Sequence, residues 1–390
     1  MENNLPSIKI NSRAAGKLAQ GYPWVFANDV TDLALLKEYE PGQAVRVVDP
    51  QGRFMAVAFA NRHSLIALRV LATDDIKIDS EFFQTRLQQA FDRRAHMAET
   101  YYRLVHAEGD ALPGLVIDRF DDIFSVQLNS AGAELYAAHI TAALQKIVPN
   151  ARLAIRRDTP SRAHENLAVS DTPELIGDIP ARIAVKQNGV TYLADLLSGQ
   201  KTGWYFDQAD NHALIARYAG GKSMLDLYTH AGGFALAAAK AGAKHIVAVD
   251  SSAPALALAA EAAKQNKLEV EFVRDDAFNY LAGATQSYDI VIADPPPFVR
   301  SKKDLESGAR GYRKLAKLSA SRVAPGGIFA IASCSHNMQL DRFMLECAAG
   351  IASAGRTGRI LYITGAGADH PAHFALPESA YLKMVTYQLD

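Results

Sequence analysis

The sequence predicts an α/β protein: a C-terminal Rossmann-like sheet, parallel with an antiparallel edge strand, preceded by a small β-rich module and an α+β middle segment. Three observations carry this. From about Lys201 onward, strand-like and helical runs alternate, the pattern of a doubly wound parallel sheet. The first 75 residues instead hold short β-type runs broken by turn residues. Between them lie a long helical pattern, a hairpin-like pair of runs and a second helix. The expected divisions are 1–75, 76–190 and 191–390.

Taken in order, "QAVRVVD" and "RFMAVAFA" are strands on either side of the turn "DPQG". "DSEFFQTRLQQAFDRRAHMAETYY" repeats its apolar residues at helical spacing, with Asp79 or Ser80 placed to cap it. "GLVIDRFDDIFSVQLN" reads as two strands about "RFDD", followed by the helix "AELYAAHITAALQKI", and the segment ends near "VKQNGVTYLADL". The C-terminal strands are "SMLDLY", "HIVAVD", "VEFVRD", "YDIVIAD", "IFAIAS", "RILYIT" and "YLKMVTYQL". Helices fall on "FALAAAKAG", "APALALAAEAAKQN", "AFNYLA", "GYRKLAKLSASRV" and "LDRFMLECAAGIASA". Only a loop with Gly365, Gly367 and Pro371 separates the last two strands, so the final one is expected to run antiparallel.

Composition excludes several classes. With 49% hydrophobic and 21% charged residues the chain is globular, not disordered. Two cysteines cannot build a disulfide framework or a four-thiolate metal site, so a reducing compartment and no metal are expected. The opening "MENNLPSIKINS" lacks the apolar core of a signal peptide, and no stretch suits a membrane span, so a cytoplasmic protein is expected. Net charge is −1, yet residues 300–322 alone carry +6, leaving −7 for the rest. Such a stripe is either a solvated helix face or a seat for a polyanion such as RNA. A second basic cluster, Arg152, Arg156, Arg157 and Arg162, falls in a loop-like region. A homodimer is compatible with the sequence, which does not decide it.

The strand ends of the C-terminal half carry the chemistry. In "LDLYTHAGGF", Gly232 and Gly233 open a helix and allow a ligand close to backbone N–H groups. The spacing is not that of a dinucleotide fingerprint. Asp250 ends the second strand, where a carboxylate can accept both hydroxyls of a ribose. Asp275 and Asp276 end the third strand, placed for an adenine amino group, although an acidic residue there also caps helices. "DPPPF" ends the fourth.

The series "LDLYTHAGGF", "VAVDSS", "VRDDAF" and "IADPPPF" resembles the class I S-adenosylmethionine-dependent methyltransferases. "KTGWYFDQADN", "DPPPFV", "GYRKLAKLSASRVAPGG", "SCSHNM" and "YLK" resemble more closely the bacterial large-subunit ribosomal RNA cytosine-5 methyltransferases, whose N-terminal PUA domain "GYPWVFANDV" also resembles. The likeness implies S-adenosylmethionine as cofactor, with Tyr228, Gly232 and Phe234 near its methionine part, Asp250 and Ser251 at its ribose, and Asp276 and Ala277 at its adenine. It implies that Asp294, Pro295 and Phe298 form the wall between methyl donor and target base, and that RNA, in particular ribosomal RNA, is the partner. Pro297 stands where the family pattern has lysine, and His230 where a hydroxylated or aromatic residue is common.

Carbon 5 of cytosine is a poor nucleophile, and a thiolate adding to carbon 6 makes it an enamine-like one. Cys334 ends the strand after Asp294, so the two could reach one pyrimidine, with Asp294 as the second catalytic group at its N3 side. Arg310, Arg313 and Lys317 share a helix face and are candidate RNA contacts. Cys347 lies in a helix among Phe343, Met344 and Ile351 and reads as packing, while His336 could tune the thiol. Two other readings stay open. An Asp-Pro-Pro turn also serves exocyclic-amine methylation without a cysteine, and an RNA-binding assembly factor could keep a vestigial catalytic domain.

Overall fold

The computed structural model describes residues 5–97, 99–197 and 203–390; Lys201 and Thr202, which begin "KTGWYFDQADN", lie outside them. The chain divides into two compact units. One takes in the chain up to Ala181, with Asp195–Gly203 and Ala368–Ser379; the other comprises Arg182–Ala194, Trp204–Gly367 and Ala380–Asp390.

The first unit holds two five-stranded sheets. In spatial order the first is Ser7–Lys9, Ala44–Val48, Phe54–Ala60, Ile66–Ala72 and Trp24–Phe26, antiparallel except for its first pair. The second runs Ser170–Ile176, Arg152–Arg157, Ile123–Leu128, Leu115–Phe120, Tyr101–His106. The helix Ser80–Arg93 begins where its cap was expected, with the Asp79 carboxylate accepting the N–H groups of Glu81 and Phe82. The run "AELYAAHITAALQKI" is two helices, Ala131–Leu135 and Ala137–Ile147, because Tyr136 (φ −97°, ψ 16°) leaves helical geometry between them. One apolar core spans both sheets, joining Val57, Phe59 and Leu71 of the first to Phe83, Leu87, Phe124 and Leu153.

Here the arginine cluster departs from expectation. Arg152–Arg157 is a strand, not a loop, and Arg156 and Arg162 are buried. Arg152 pairs with Asp122, Arg156 with Asp158, Arg157 with Glu134 and Glu174, and Arg162 with Glu134. These cations hold the sheet and its flanking segments together, so the cluster is not an open basic face.

The second unit carries a seven-stranded sheet. Its strands are β1 (Ser223–Leu227), β2 (His245–Asp250), β3 (Glu271–Arg274), β4 (Tyr288–Ala293), β5 (Val323–Ser333), β6 (Gly358–Thr364) and β7 (Lys383–Leu389). Its helices are α1 (Ala209–Ala216), α2 (Gly233–Lys240), α3 (Ala253–Asn266), α4 (Ala277–Gly283), α5 (Leu305–Ala320) and α6 (Leu340–Ser353). The spatial order is β3-β2-β1-β4-β5-β7-β6. The pairings β3–β2, β2–β1, β1–β4 and β4–β5 are parallel, while β7 is antiparallel to both neighbours. The antiparallel strand is thus present but lies one place in from the edge, which β6 forms. Strand alternation feeds two cores: Val291 and Ala293 of β4 face Tyr312, Leu315 and Phe343, whereas Ile290 and Ile292 join Ile215 and Phe234. Helix α5 starts six residues before the run "GYRKLAKLSASRV". A capping box between Ser301 and Asp304 sets up its start, and its early glycines, poor helix formers, hide this turn from the pattern.

Candidate active site

The loop from β1 into α2 is wound tightly: Tyr228 (φ 63°), His230 (φ 49°) and Gly232 (φ 83°) all take left-handed conformations. Two of these are not glycine, so other contacts must hold them there. Asp226, buried at the end of β1, accepts from Thr229 Oγ1 at 2.6 Å and from the Ala235 N–H at 3.1 Å. Asp250, ending β2, accepts from the His230 N–H at 2.9 Å and the Ser252 N–H at 2.8 Å. At Gly232 a Cβ would meet Leu236 at 3.1 Å and Ala259 at 3.2 Å, so only glycine suits both the turn and the packing.

The electrostatics of this end of the sheet are anionic. Burial pushes the Asp226 carboxyl up to about 7, and the nearby carboxylates of Asp294 and Asp250 push the same way. Its Oδ1 is buried and has no hydrogen-bond partner. An orphaned buried oxygen flanked by two further carboxylates suits a cationic ligand. S-adenosylmethionine, with a sulfonium and an ammonium group, has that chemistry, and the residues present fit it. Burial raises the Tyr228 hydroxyl as well, and Asp276 and Asp250 raise it further.

The other expected cofactor residues are spread around this loop. Asp276 caps α4, accepting the N–H groups of Phe278 (2.9 Å) and Asn279 (3.2 Å), while remaining exposed. Ala277 is buried and Ser251 exposed. The ring of Phe234 lies edge-on to buried His212, with centroids 4.5 Å apart, so it packs in the core beneath the loop. Desolvation pulls His212 down to about 3 and keeps it neutral there.

Beside this lies a second group of residues, where β4 and β5 end. The parallel register sets Ala293 against Ile331, so Asp294 and Cys334 leave adjacent strands on the same side of the sheet. Asp294 Oδ2 accepts from Gln208 Nε2 at 2.9 Å. Gln208 Oε1 in turn accepts from Asn211 at 2.6 Å, and Asn211 accepts from Thr364 Oγ1 at 2.7 Å, a relay that orients the carboxylate from the far end of β6. Pro295 is buried, and the Phe298 ring packs near Tyr312 (4.7 Å) and Phe278 (6.2 Å). A Cβ on Gly308 would meet Val299 at 2.5 Å, so the glycine lets α5 approach this turn.

Cys334 is half-buried, whereas Cys347 is fully buried on α6 and its thiol is pushed well above the usual range by desolvation. Two contacts join the turn after Asp294 to the loop after Cys334. The Val299 N–H donates to Ser335 Oγ at 3.2 Å, and Asn337 Nδ2 donates to the Arg300 carbonyl at 3.4 Å. Tyr312, buried on α5, accepts from Ser333 Oγ at 2.8 Å and shares a hydrogen bond with Ser335 Oγ at 2.9 Å. Lys383, at the start of β7, donates from Nζ to the carbonyls of Ser335 (2.8 Å) and Met338 (2.6 Å). Sequence reasoning assigned no role to Asp226, Gln208, Tyr312 or Lys383, although all four fall within quoted motifs.

Of the basic residues on α5, Arg310, Arg313 and Lys317 are all exposed. Arg313 is also bound to buried Glu346 at 2.7 Å, so it anchors α5 to α6. Arg342 shares that carboxylate at 2.8 Å, and the two guanidiniums hold Glu346 below the usual carboxylate range against the opposing effect of burial. Among the described residues no group of three or more His, Cys, Asp or Glu is arranged to hold a metal, and no helix is long and apolar enough to cross a membrane.

Comparison with known proteins places the chain in a family. A PUA-like domain profile matches residues 8–73, and an S-adenosylmethionine-dependent methyltransferase profile matches residues 145–359. The ribosomal RNA large subunit methyltransferase I of Klebsiella pneumoniae (strain 342) is 36% identical, with 97% of each chain covered. The protein of that name from Cronobacter sakazakii is 35% identical, over 94% of this chain and 95% of the other. A solved structure assigned as a SAM-dependent methyltransferase from Streptococcus mutans superposes with a TM-score of 0.82 at 22% identity, covering 98% of this chain and 100% of that one. A second, complexed with SAH, gives the same TM-score at 23% identity over the same shares. At such identities the structural likeness speaks for the fold.

Proposed function

The chain belongs to the S-adenosylmethionine-dependent methyltransferases and carries a PUA-like domain, and we propose that it forms 5-methylcytosine in large-subunit ribosomal RNA through a covalent Cys334 adduct. The observation that carries this reading is the junction of two strand ends. The Asp294 turn and the Cys334 loop are tied together through Ser335, Val299 and Tyr312, so a carboxylate and a thiol serve one base. The names of the relatives support ribosomal RNA as substrate, and with it a cytoplasmic site of action.

Bound S-adenosylmethionine supplies an electrophilic methyl group on a sulfonium. Asp250 and Ser251 would hold its ribose, Asp276 and Ala277 its adenine edge, and Tyr228, Gly232 and Asp226 its methionine part, with Phe234 supporting the loop from the core. The Cys334 thiolate adds to carbon 6 of the cytosine, forming an S–C bond and moving the ring electrons toward carbon 5. Asp294, oriented by Gln208, accepts from the exocyclic amine or, when protonated, donates to N3 as that nitrogen gains charge. Carbon 5 so activated takes the methyl group; once it carries both that group and its proton, loss of the proton expels the thiolate and restores the aromatic ring. The target base must be unpaired or flipped out to present both faces. Pro295 and Phe298 wall the base, and Arg310 and Lys317 face the phosphates. Residues 1–75, 76–190 and 191–390 would act as RNA-binding, central and catalytic parts.

RNA carrying 5-fluorocytosine tests this, because fluorine at carbon 5 blocks the final elimination. Wild type and Cys347→Ala should trap a covalent RNA adduct seen on denaturing gels, and Cys334→Ala should trap none and lose methylation. If Cys334→Ala methylates at near the wild-type rate, the thiol is packing, and the position of the methyl group in digested RNA would point to the exocyclic amine instead.

A further inference from the structure

Lys383 is a buried cation without a carboxylate. Its residue is only 8% exposed, which lysine rarely tolerates unpaired. Among the described residues no Asp or Glu lies within ion-pair distance of it. Its two hydrogen bonds go to the neutral carbonyls of Ser335 and Met338. The antiparallel register sets Lys383 directly opposite Ser333, the residue before Cys334. The ammonium therefore sits on the loop that carries the thiol.

We propose that Lys383 is a positioning residue for Cys334: its ammonium is the counter-ion of the thiolate, and its two carbonyl bonds hold the Cys334–Met338 loop against β7. The inference rests on the reading of Cys334 as nucleophile given above. The titration of Lys383 agrees with it. Burial pulls the ammonium down to about 8, and the Cys334 charge acts in the opposite sense to keep it protonated. Among the described residues, the titratable groups on the elements around the pair include Tyr312 on α5, Tyr381 just before β7, His336 in the loop and Asp294 at the end of β4. Burial raises the Tyr312 hydroxyl, and a carboxylate such as Asp294 opposes a thiolate. The Lys383 ammonium, held on the thiol's own loop, favours the thiolate at pH 7–8.

The test reads the thiol, not methylation. The full-length protein is alkylated with iodoacetamide across pH 5.5–10, and the Cys334 peptide is followed by mass spectrometry. Wild type should react with a midpoint below the ordinary free-thiol value of about 8.5. Lys383→Gln keeps N–H donors but removes the charge, and should move the midpoint up by roughly one to two units. Lys383→Arg should leave it within a few tenths of a unit of wild type. Superimposed wild-type and Lys383→Gln profiles would overturn the proposal. Should Lys383→Gln not fold, the reciprocal measurement stands: the Lys383 side-chain titration, followed by carbon NMR, should fall to lower pH in Cys334→Ala, and an unmoved titration overturns the pairing. The two readings also separate. A shifted thiol profile without a 5-fluorocytosine adduct keeps the ion pair and removes the cytosine chemistry, whereas an adduct with superimposed profiles does the reverse.

Discussion

Replacing Asp250 with alanine should remove two things at once, and the structure allows them to be told apart. The carboxylate holds the His230 N–H at 2.9 Å and the Ser252 N–H at 2.8 Å. The first of these keeps a loop with three left-handed residues in shape. A hydrogen bond to a charged group contributes roughly 1.5–3 kcal/mol. Asp250→Ala should therefore lower stability in urea by about that amount and weaken S-adenosylhomocysteine binding at least tenfold by calorimetry, since about 1.4 kcal/mol is a factor of ten. Asp250→Asn keeps one acceptor oxygen and should fall between. Loop and ribose are separated with the 2′-deoxy analogue of S-adenosylhomocysteine. Wild type should lose roughly tenfold affinity for it, while Asp250→Ala should bind both ligands alike, the mark of a contact already gone. If Asp250→Ala still discriminates between them, Asp250 only shapes the loop. Unchanged affinity for either ligand would refute the placement of the ribose at β2.

Three further variants probe the helix α5. Arg310→Glu with Lys317→Glu should weaken RNA binding and flatten its salt dependence without changing stability, checked by filter binding at several salt concentrations; an unchanged salt slope would assign this face to solvent. Arg313→Glu should instead destabilise the fold by roughly 3–5 kcal/mol in urea, because it sets a like charge against buried Glu346. Tyr312→Phe should cost about 1–3 kcal/mol by leaving Ser333 and Ser335 without their shared hydroxyl. It should also slow adduct formation at Cys334, and wild-type trapping rates would show that the hydroxyl does not hold the loop.

The alternation of strands and helices in the C-terminal half was legible because parallel strands buried on both faces are continuous apolar runs, and each crossover needs a helix of its own. "SMLDLY", "HIVAVD" and "YDIVIAD" stand out for that reason. The first unit was legible strand by strand but not in its assembly. Its two sheets share a core through Phe59, Leu71, Phe83 and Phe124, residues far apart in sequence. Cutting after residue 75 would expose that core, so RNA binding by the N-terminal sheet is better probed with surface substitutions. The arginines between 152 and 162 illustrate the same limit. Their partners Asp122, Glu134 and Glu174 come from other strands and helices, and a basic run whose counter-charges lie elsewhere reads as an open patch.

In the site, the acidic strand ends were legible, but their division of labour was not. An aspartate that caps a helix and one that meets a ligand look alike in sequence, and Asp276 takes the cap while remaining exposed enough to do both. Beside Cys334, Lys383 was missed for a different reason. A lysine opening the apolar run "YLKMVTYQL" reads as the polar end of an outer strand, where charge blunts an edge. With β7 between β5 and β6, that lysine is enclosed instead, opposite Ser333 and above the loop of the thiol. Mistaking an inner strand for the edge and overlooking Lys383 are thus one error. The order of two strands, set by contacts that no local pattern records, decides whether a charge is solvated or spent on a cysteine.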